Sequence, residues 1–192
     1  AVVYRLEHDE RGAIVAAHYY DWNKTSHRIT GRTFVVAANA IESAKLLLMS
    51  TSAAFPNGVA NRSDNVGRNL CDHPAVGVTF DMDEPVWPGR GPVSPCSIGQ
   101  FRDGDFRAEH APFRIDISNA SQVASVTKEL IQEGYHGIKL EGAIRDRASR
   151  RVSIKNALEQ LPDRDNRVTL GAGKDALGLP VPRIFWNIDD YV

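Results

Sequence analysis

The densest run of chemically able side chains is Val66-Gly67-Arg68-Asn69-Leu70-Cys71-Asp72-His73-Pro74. A carboxylate beside an imidazole can raise its basicity and support acid–base work, so Asp72 and His73 would suit a hydrolase. Neighbours in sequence often point to opposite sides, and the competing expectation is a turn held by side-chain hydrogen bonds. Cys71 reads as a small buried hydrophobe ahead of a nucleophile. His8, His18, His27, His110 and His136 show no ligand spacing, and Cys71 and Cys96 stand far apart with no neighbouring cysteine or paired histidine. Neither a disulfide framework nor a metal site can be built from them alone. Ser97 and Ser118 lack an identifiable base and orienter, which leaves no Ser-His-Asp triad to assemble. The arginines of Phe101–Arg107 have the charge to hold a carboxylate, but local ion pairing on a solvated surface is the simpler reading.

A second candidate is a turn. Thr33-Phe34-Val35-Val36-Ala37-Ala38 is a continuous apolar run of strand length, the pattern of a strand buried on both faces of a parallel sheet. Asn39 follows as an N-cap with Glu42 at capping-box spacing, and Ile41, Ala44, Lys45, Leu47 and Leu48 run at helical spacing to Ser50. Open α/β sheets present dinucleotides at such strand–turn–helix junctions, where backbone amides and small side chains let phosphates approach. The G-x-G-x-x-G pattern that would make the reading specific is absent. On these residues alone an ordinary structural strand and helix explains the run more simply.

The surrounding elements follow from alternation and punctuation. Ala1–Leu6 and Ile14–Tyr20 form a hairpin across the Asp9–Gly12 turn, with a third strand over His27–Thr30. Residues 52–68 are loop, and Val76–Met82 alternates as a strand. Glu84–Asp105, rich in proline and glycine, predicts a long irregular segment. Arg114–Ser118 and Arg151–Leu158 read as strands, Ser121–Glu133 as a helix capped by Ser121, and Asn166–Leu170 and Arg183–Ile188 as a final strand pair. With 192 residues, 42% of them hydrophobic, the composition is that of a globular chain, and a net charge of −1 removes the electrostatic case for nucleic-acid binding. No apolar run is long enough to span a bilayer and no signal-peptide pattern is present. The chain opens at Ala1 in what reads as mid-strand, and Asp189–Val192 reads as the first turn of a helix, so the expectation is an internal fragment of a longer protein.

Val35–Ser50 (Val-Val-Ala-Ala-Asn-Ala-Ile-Glu-Ser-Ala-Lys-Leu-Leu-Leu-Met-Ser) and Asn65–Pro74 together resemble the glucose-methanol-choline (GMC) family of FAD-dependent oxidoreductases. The resemblance continues through Glu84–Pro92, Phe101–Arg107, Ile117–Ser121, Ile144–Arg147 and Asn166–Val192, where it is nearest the bacterial branch of flavoprotein glucose, sorbitol, fructose and gluconate dehydrogenases. It implies an α+β fold: the end of a Rossmann-like FAD-binding domain over 1–74, then a substrate domain over 75–192 with a twisted antiparallel sheet and flanking helices. It also implies cofactor-binding roles for Val3, Ala38, Asn39 and Ser43, the backbone of Val3 lying against the adenine, and places Asp81 and Ser97 near a substrate cavity. Asn39 stands where many members have glycine, a mild exchange because asparagine reaches left-handed conformations. Ala40 and Ala44 depart from the commoner glycine and proline. The Gly-rich phosphate loop and the catalytic His and Asn would fall outside this chain, so no catalytic residue and no metal ligand is expected within it, and the fragment alone should be inactive. The parent would oxidise a sugar or polyol CH–OH group by hydride transfer to FAD and pass electrons to a cytochrome or quinone. The compartment stays open between periplasmic, membrane-associated and cytoplasmic. The rival reading is a non-catalytic binding or scaffold module derived from the substrate domain.

Overall fold

The computed structural model describes residues 1–94 and 96–192; Pro95, inside the segment expected to be irregular, lies outside the described residues. In chain order the elements are β1 (Val2–His8), β2 (Ile14–Tyr20), β3 (Ser26–Thr30), α1 (Asn39–Met49), β4 (Ala75–Asp81), β5 (Cys96–Ile98), a short 3₁₀ turn (Asp105–Ala108), β6 (Phe113–Ser118), α2 (Val123–Gln132), α3 (Gly137–Arg150), β7 (Arg151–Leu158), β8 (Arg167–Lys174) and β9 (Pro180–Phe185). This is a mixed α+β fold of helices and antiparallel sheets. It divides into two units, Ala1–Cys71 with Leu161–Asn187, and Asp72–Gln160 with Ile188–Val192. The hairpin β8–β9, which the sequence reading places with the second part, makes its contacts with the first.

In the first unit β1, β2 and β3 form an antiparallel meander. Its turns are closed by aspartates whose side chains mimic a backbone turn. Asp9 Oδ1 accepts from the amides of Arg11 and Ala13, and Asp21 Oδ1 from those of Asn23 and Thr25. Leu6, Ala17 and Leu46 make the buried centre, with Ile14, Phe34, Val36, Leu47 and Met49 packed around it. The last turn of α1 is tied to β1 by Ser50, whose hydroxyl donates to Leu46 O and accepts from Leu6 N at 2.9 Å. Residues 33–38 do not form the expected buried strand. No described strand pairs with them, and Val35 is 83% exposed while Phe34 and Val36 face the core. Burial therefore alternates with period two, which places one face inward instead of both.

The second unit is a four-stranded antiparallel sheet in the order β4-β7-β6-β5, with α2 and α3 packed on each other. Val126 and Leu130 of α2 are its most completely buried side chains. The helix starts two residues later than its predicted cap Ser121; Gln122 occupies the cap position without a side-chain cap bond. Helix α3 has no counterpart in the sequence reading. Its apolar stripe is short: Leu140, Ala143, Ile144 and Ala148 recur at helical spacing and are half-buried, while Ile138 is exposed and only Ser149 is fully buried. Its flanks carry the i,i+4 pairs Glu141–Arg145 and Asp146–Arg150, and Arg147 reaches Glu133 beyond the end of α2 at 2.6 Å. Strand β5 likewise sits inside the segment expected to be irregular, and Asp189–Val192 form a turn.

Candidate functional site

Ala38, Asn39 and Ser43 come together in one hydrogen-bonded turn at the start of α1. Asn39 lies in the left-handed region (φ 66°), the conformation glycine adopts without cost. Its Oδ1 accepts from the amides of Ile41 (2.9 Å) and Glu42 (3.0 Å), capping the first turn. The expected capping box is only half formed. Glu42 does not reach back; its carboxylate lies 3.4 Å from Lys45 Nζ, and the returning contact comes from Ser43, whose Oγ accepts from Ala38 N at 3.0 Å. Ala37, Ala38 and Ala40 are exposed and extend no further than Cβ, so a large planar or phosphorylated group could approach this backbone closely. Val3 lies in the same unit on β1, the outer strand of the meander, opposite Tyr19 and 41% exposed. That position leaves one edge of its strand without a neighbouring strand among the described residues.

The Asn65–Cys71 stretch is a clamp. Arg68 donates through Nε to Asp64 O (2.7 Å), through Nε and Nη2 to Asp64 Oδ2 (3.0 and 2.5 Å), and through Nη1 to Arg164 O (3.0 Å). The Arg68 guanidinium holds the Asp64 carboxyl below its usual range. The main chain is pinned to the segment leading into β8: Val168 N donates to Gly67 O (2.7 Å), and Leu70 N to Asn166 O (2.9 Å). Asn166 is itself buried and exchanges side-chain bonds with the backbone of Asn187. Cys71 is exposed rather than buried, its thiol directed at Asn69 O. In the second unit the Asp72 carboxylate accepts from the His73 backbone amide (2.7 Å), not from the imidazole, whose Nδ1 lies 3.4 Å from Leu158 O. The acid–base pair required for a hydrolase is therefore not assembled; the side-chain-bonded turn is what forms.

Asp81 and Ser97 lie on strands β4 and β5, at opposite edges of the sheet. Asp81 is engaged by Arg151, with Nε to Oδ1 at 2.5 Å and Nη2 to Oδ2 at 3.1 Å, and that guanidinium depresses the carboxyl below its ordinary value. Arg151 also donates to both oxygens of Glu129 on α2 at 2.9 Å, joining helix to sheet. Ser97 is exposed, opposite Asp116 on β6. Arg107, within the charged stretch 101–107, pairs with Asp103 (3.4 Å) and Glu159 (3.3 Å). Among the described residues no three His, Cys, Asp or Glu side chains gather as a metal site, and no helix is long and apolar enough to cross a membrane. Sequence reasoning missed the structural parts of Arg151 and Arg164, whose partners are far away in the chain.

The chain is thus a mixed α+β protein that pairs a capped, glycine-like turn beside an antiparallel meander with a separate helix-backed sheet. No family model matches it. Over 193 residues, all of this chain and 36% of the relative, it is 45% identical to the fructose dehydrogenase large subunit of Gluconobacter japonicus. It is 32% identical over 190 residues to paromamine 6'-oxidase of Streptomyces fradiae, covering 96% of this chain and 32% of that protein. With 6'''-hydroxyparomomycin C oxidase of Streptomyces lividus it shares 30% identity over 198 residues, again covering 96% and 32%. These homologues are GMC-type oxidoreductases, and the chain spans about a third of the length of the curated relatives it matches.

Proposed function

We propose that this chain is the stretch of an FAD-dependent sugar or polyol dehydrogenase that supplies part of the flavin cradle and one wall of the substrate cavity. The observation carrying the proposal is the Ala38–Asn39–Ser43 turn, within a chain 45% identical along its whole length to a fructose dehydrogenase large subunit. The residues suit the cofactor: exposed alanines, a left-handed asparagine and a helix N-terminus permit close approach of a dinucleotide, and Val3 on an edge strand offers backbone to an adenine. When bound, FAD supplies the hydride acceptor for CH–OH oxidation. This chain's own residues bind and orient: Val3, Ala38, Asn39 and Ser43 hold the cofactor side, and β4 and β5, carrying Asp81 and Ser97, stand at the cavity. The proton acceptor lies outside the chain, as does the rest of the nucleotide-binding sheet. Completion of that sheet would pair 33–38 as a Rossmann-like strand and cover the face on which Val35 is now exposed. In domain terms 1–74 belongs to the FAD-binding part and 75–192 to the substrate part, with β8–β9 packed on the former.

The test is to purify the full-length polypeptide that contains this chain. A flavin absorbance spectrum, bleached anaerobically by a ketose, aldose or polyol and restored by a quinone or a cytochrome, is the expected result. A folded full-length protein devoid of flavin refutes the proposal and leaves the scaffold reading in its place.

A further inference from the structure

Ser52 and His8 are 44 residues apart in sequence and meet at 2.6 Å, Oγ to Nε2, where the segment after α1 passes the end of β1. The other ring nitrogen, Nδ1, lies 2.8 Å from Asp9 O. A carbonyl only accepts, so the proton of the neutral ring sits on Nδ1, and Nε2 offers its lone pair to the Ser52 hydroxyl. The orienting carbonyl is itself fixed: Asp9 O also accepts from Gly12 N at 3.0 Å, and the Asp9 carboxylate holds the amides of Arg11 and Ala13. Phe55 packs edge-on against the imidazole, with ring centroids 4.6 Å apart, so packing as well as hydrogen bonding sets the ring's orientation. A nucleophile, a base and an orienter in hydrogen-bonded series are the parts of an acyl-transfer centre, here with a backbone carbonyl in the orienting place.

The turn that carries Ser52 supplies the rest. Ser52 N donates to Phe55 O and Phe55 N to Ser52 O, each at 3.1 Å, and the Phe55 amide also reaches Ser52 Oγ at 3.2 Å. Between them the amides of Ala53 and Ala54 have no acceptor among the described residues, and both alanines are exposed. Two free amides directly after a nucleophile are donors for a developing oxyanion. Ala54 and Phe55 also line an open cavity of about 190 Å³ that has Arg62 on its wall. The Arg62 guanidinium lies 5.3 Å over the Phe55 ring and pairs with no carboxylate among the described residues. We infer that Ser52 and His8 form a hydrolytic centre, an esterase acting on small carboxylic esters whose acyl chain ends in a carboxylate. It lies wholly within the first unit and does not depend on the oxidoreductase reading. Ser52 Oγ attacks the ester carbonyl carbon as its proton passes to His8 Nε2, and the tetrahedral oxyanion takes the Ala53 and Ala54 amides. The C–O bond to the alcohol then breaks, and Nε2 returns the proton to the departing oxygen. Water attacks the acyl-Ser52 ester by the same route, its proton passing through Nε2 to Ser52 Oγ as the carboxylic acid leaves.

A fluorophosphonate, which forms a P–O bond with an activated serine and expels fluoride, tests this on the full-length polypeptide without any substitution. Peptide mass spectrometry should find Ser52 labelled, and labelled at least about 100-fold faster than in His8→Gln. Glutamine keeps an oxygen that can accept from the Ser52 hydroxyl but takes up no proton, so His8→Gln should unfold close to the parent. An unlabelled Ser52 in the folded parent overturns the inference, and so does equal labelling in His8→Gln. The contact is then only a tie between β1 and the segment after α1. The acyl group is tested by hydrolysis of the mono-4-nitrophenyl ester of terephthalic acid against 4-nitrophenyl benzoate. The charged ester should be favoured about fivefold in kcat/KM, the scale of one exposed ion pair, with the preference lost in Arg62→Gln. Equal values refute the anionic acyl group, and hydrolysis that persists in Ser52→Ala refutes the centre itself.

Discussion

Replacing Asn39 separates two contributions that the turn combines. The side chain accepts two amide bonds at 2.9 and 3.0 Å, and the backbone sits at φ 66°. Alanine removes the acceptor, at a cost of about 1 kcal/mol for a lost N-cap, and pays roughly 1–2 kcal/mol to hold a Cβ in the left-handed region. Glycine also lacks the acceptor but enters that region freely, so its cost is only a few tenths of a kcal/mol. The expected gap between Asn39→Ala and Asn39→Gly is therefore about 2 kcal/mol. At ~2–4 °C per kcal/mol for a chain of this size, that is about 4–8 °C in unfolding temperature. Asn39→Asp keeps the acceptor and places a negative charge at the positive end of the α1 dipole, and should unfold no earlier than the parent. Thermal unfolding of the 192-residue chain followed by far-UV circular dichroism gives the ranking Asp, Gly, Ala in falling order. If alanine and glycine melt within about 1 °C of each other, the left-handed backbone does not govern this turn and the reasoning fails.

Three further outcomes follow from the geometry. The Glu7 carboxyl is lowered from 4.5 to about 2, first by its hydrogen bonds from Arg28 and then by His18. A depressed carboxyl binds fewer protons folded than unfolded, so its contribution is present above about pH 4.5 and lost as pH falls toward 2. Glu7→Gln should flatten the stability profile across that window, and a profile parallel to the parent's would contradict the pairing. Gly67 and Gly178 both have positive φ, at 81° and 78°, but a Cβ on Gly67 would stand 2.4 Å from Val168 O, whereas Gly178 has open space. Gly178→Ala should cost only the conformational term, about 1 kcal/mol, and Gly67→Ala distinctly more, because backbone must move; urea midpoints that coincide would show that the Gly67 loop yields without cost. Leu130, 1% exposed on α2, should lose about 2–5 kcal/mol on truncation to alanine, read by urea unfolding, while the exposed Ile138→Ala should change stability by less than about 0.5 kcal/mol.

What the sequence disclosed and what it withheld divide along the range of the contacts involved. The meander strands were legible because alternation and the Asp9 and Asp21 turns are local chemistry, and the Asn39 cap was legible because its partners are two and three residues away. Helix α3 was passed over although Leu140, Ala143, Ile144 and Ala148 recur at helical spacing, because that repeat is short and interleaved with charge; pairs along its own surface and Arg147 reaching Glu133 add to its stability. Segment 33–38 misled because an apolar run says nothing about how many faces are covered, and Val35 turns outward.

The same division explains why the residues with the most reactive appearance proved architectural. Asn65–Pro74, one of the two stretches that carry the family resemblance, holds Gly67, Arg68, Asn69, Asp72 and His73, and of these Asp72 and His73 have the types that acid–base chemistry uses. The structure gives them other employment: Gly67 lets Val168 close in, Arg68 binds Asp64 and a carbonyl 96 residues away, Asn69 takes φ 56°, and Asp72 accepts from the next backbone amide. Residues bound into the fold's wiring do not discriminate between substrates, and specificity must be sought where those requirements relax. On this chain that means the exposed alanines before α1, whose side chains end at Cβ.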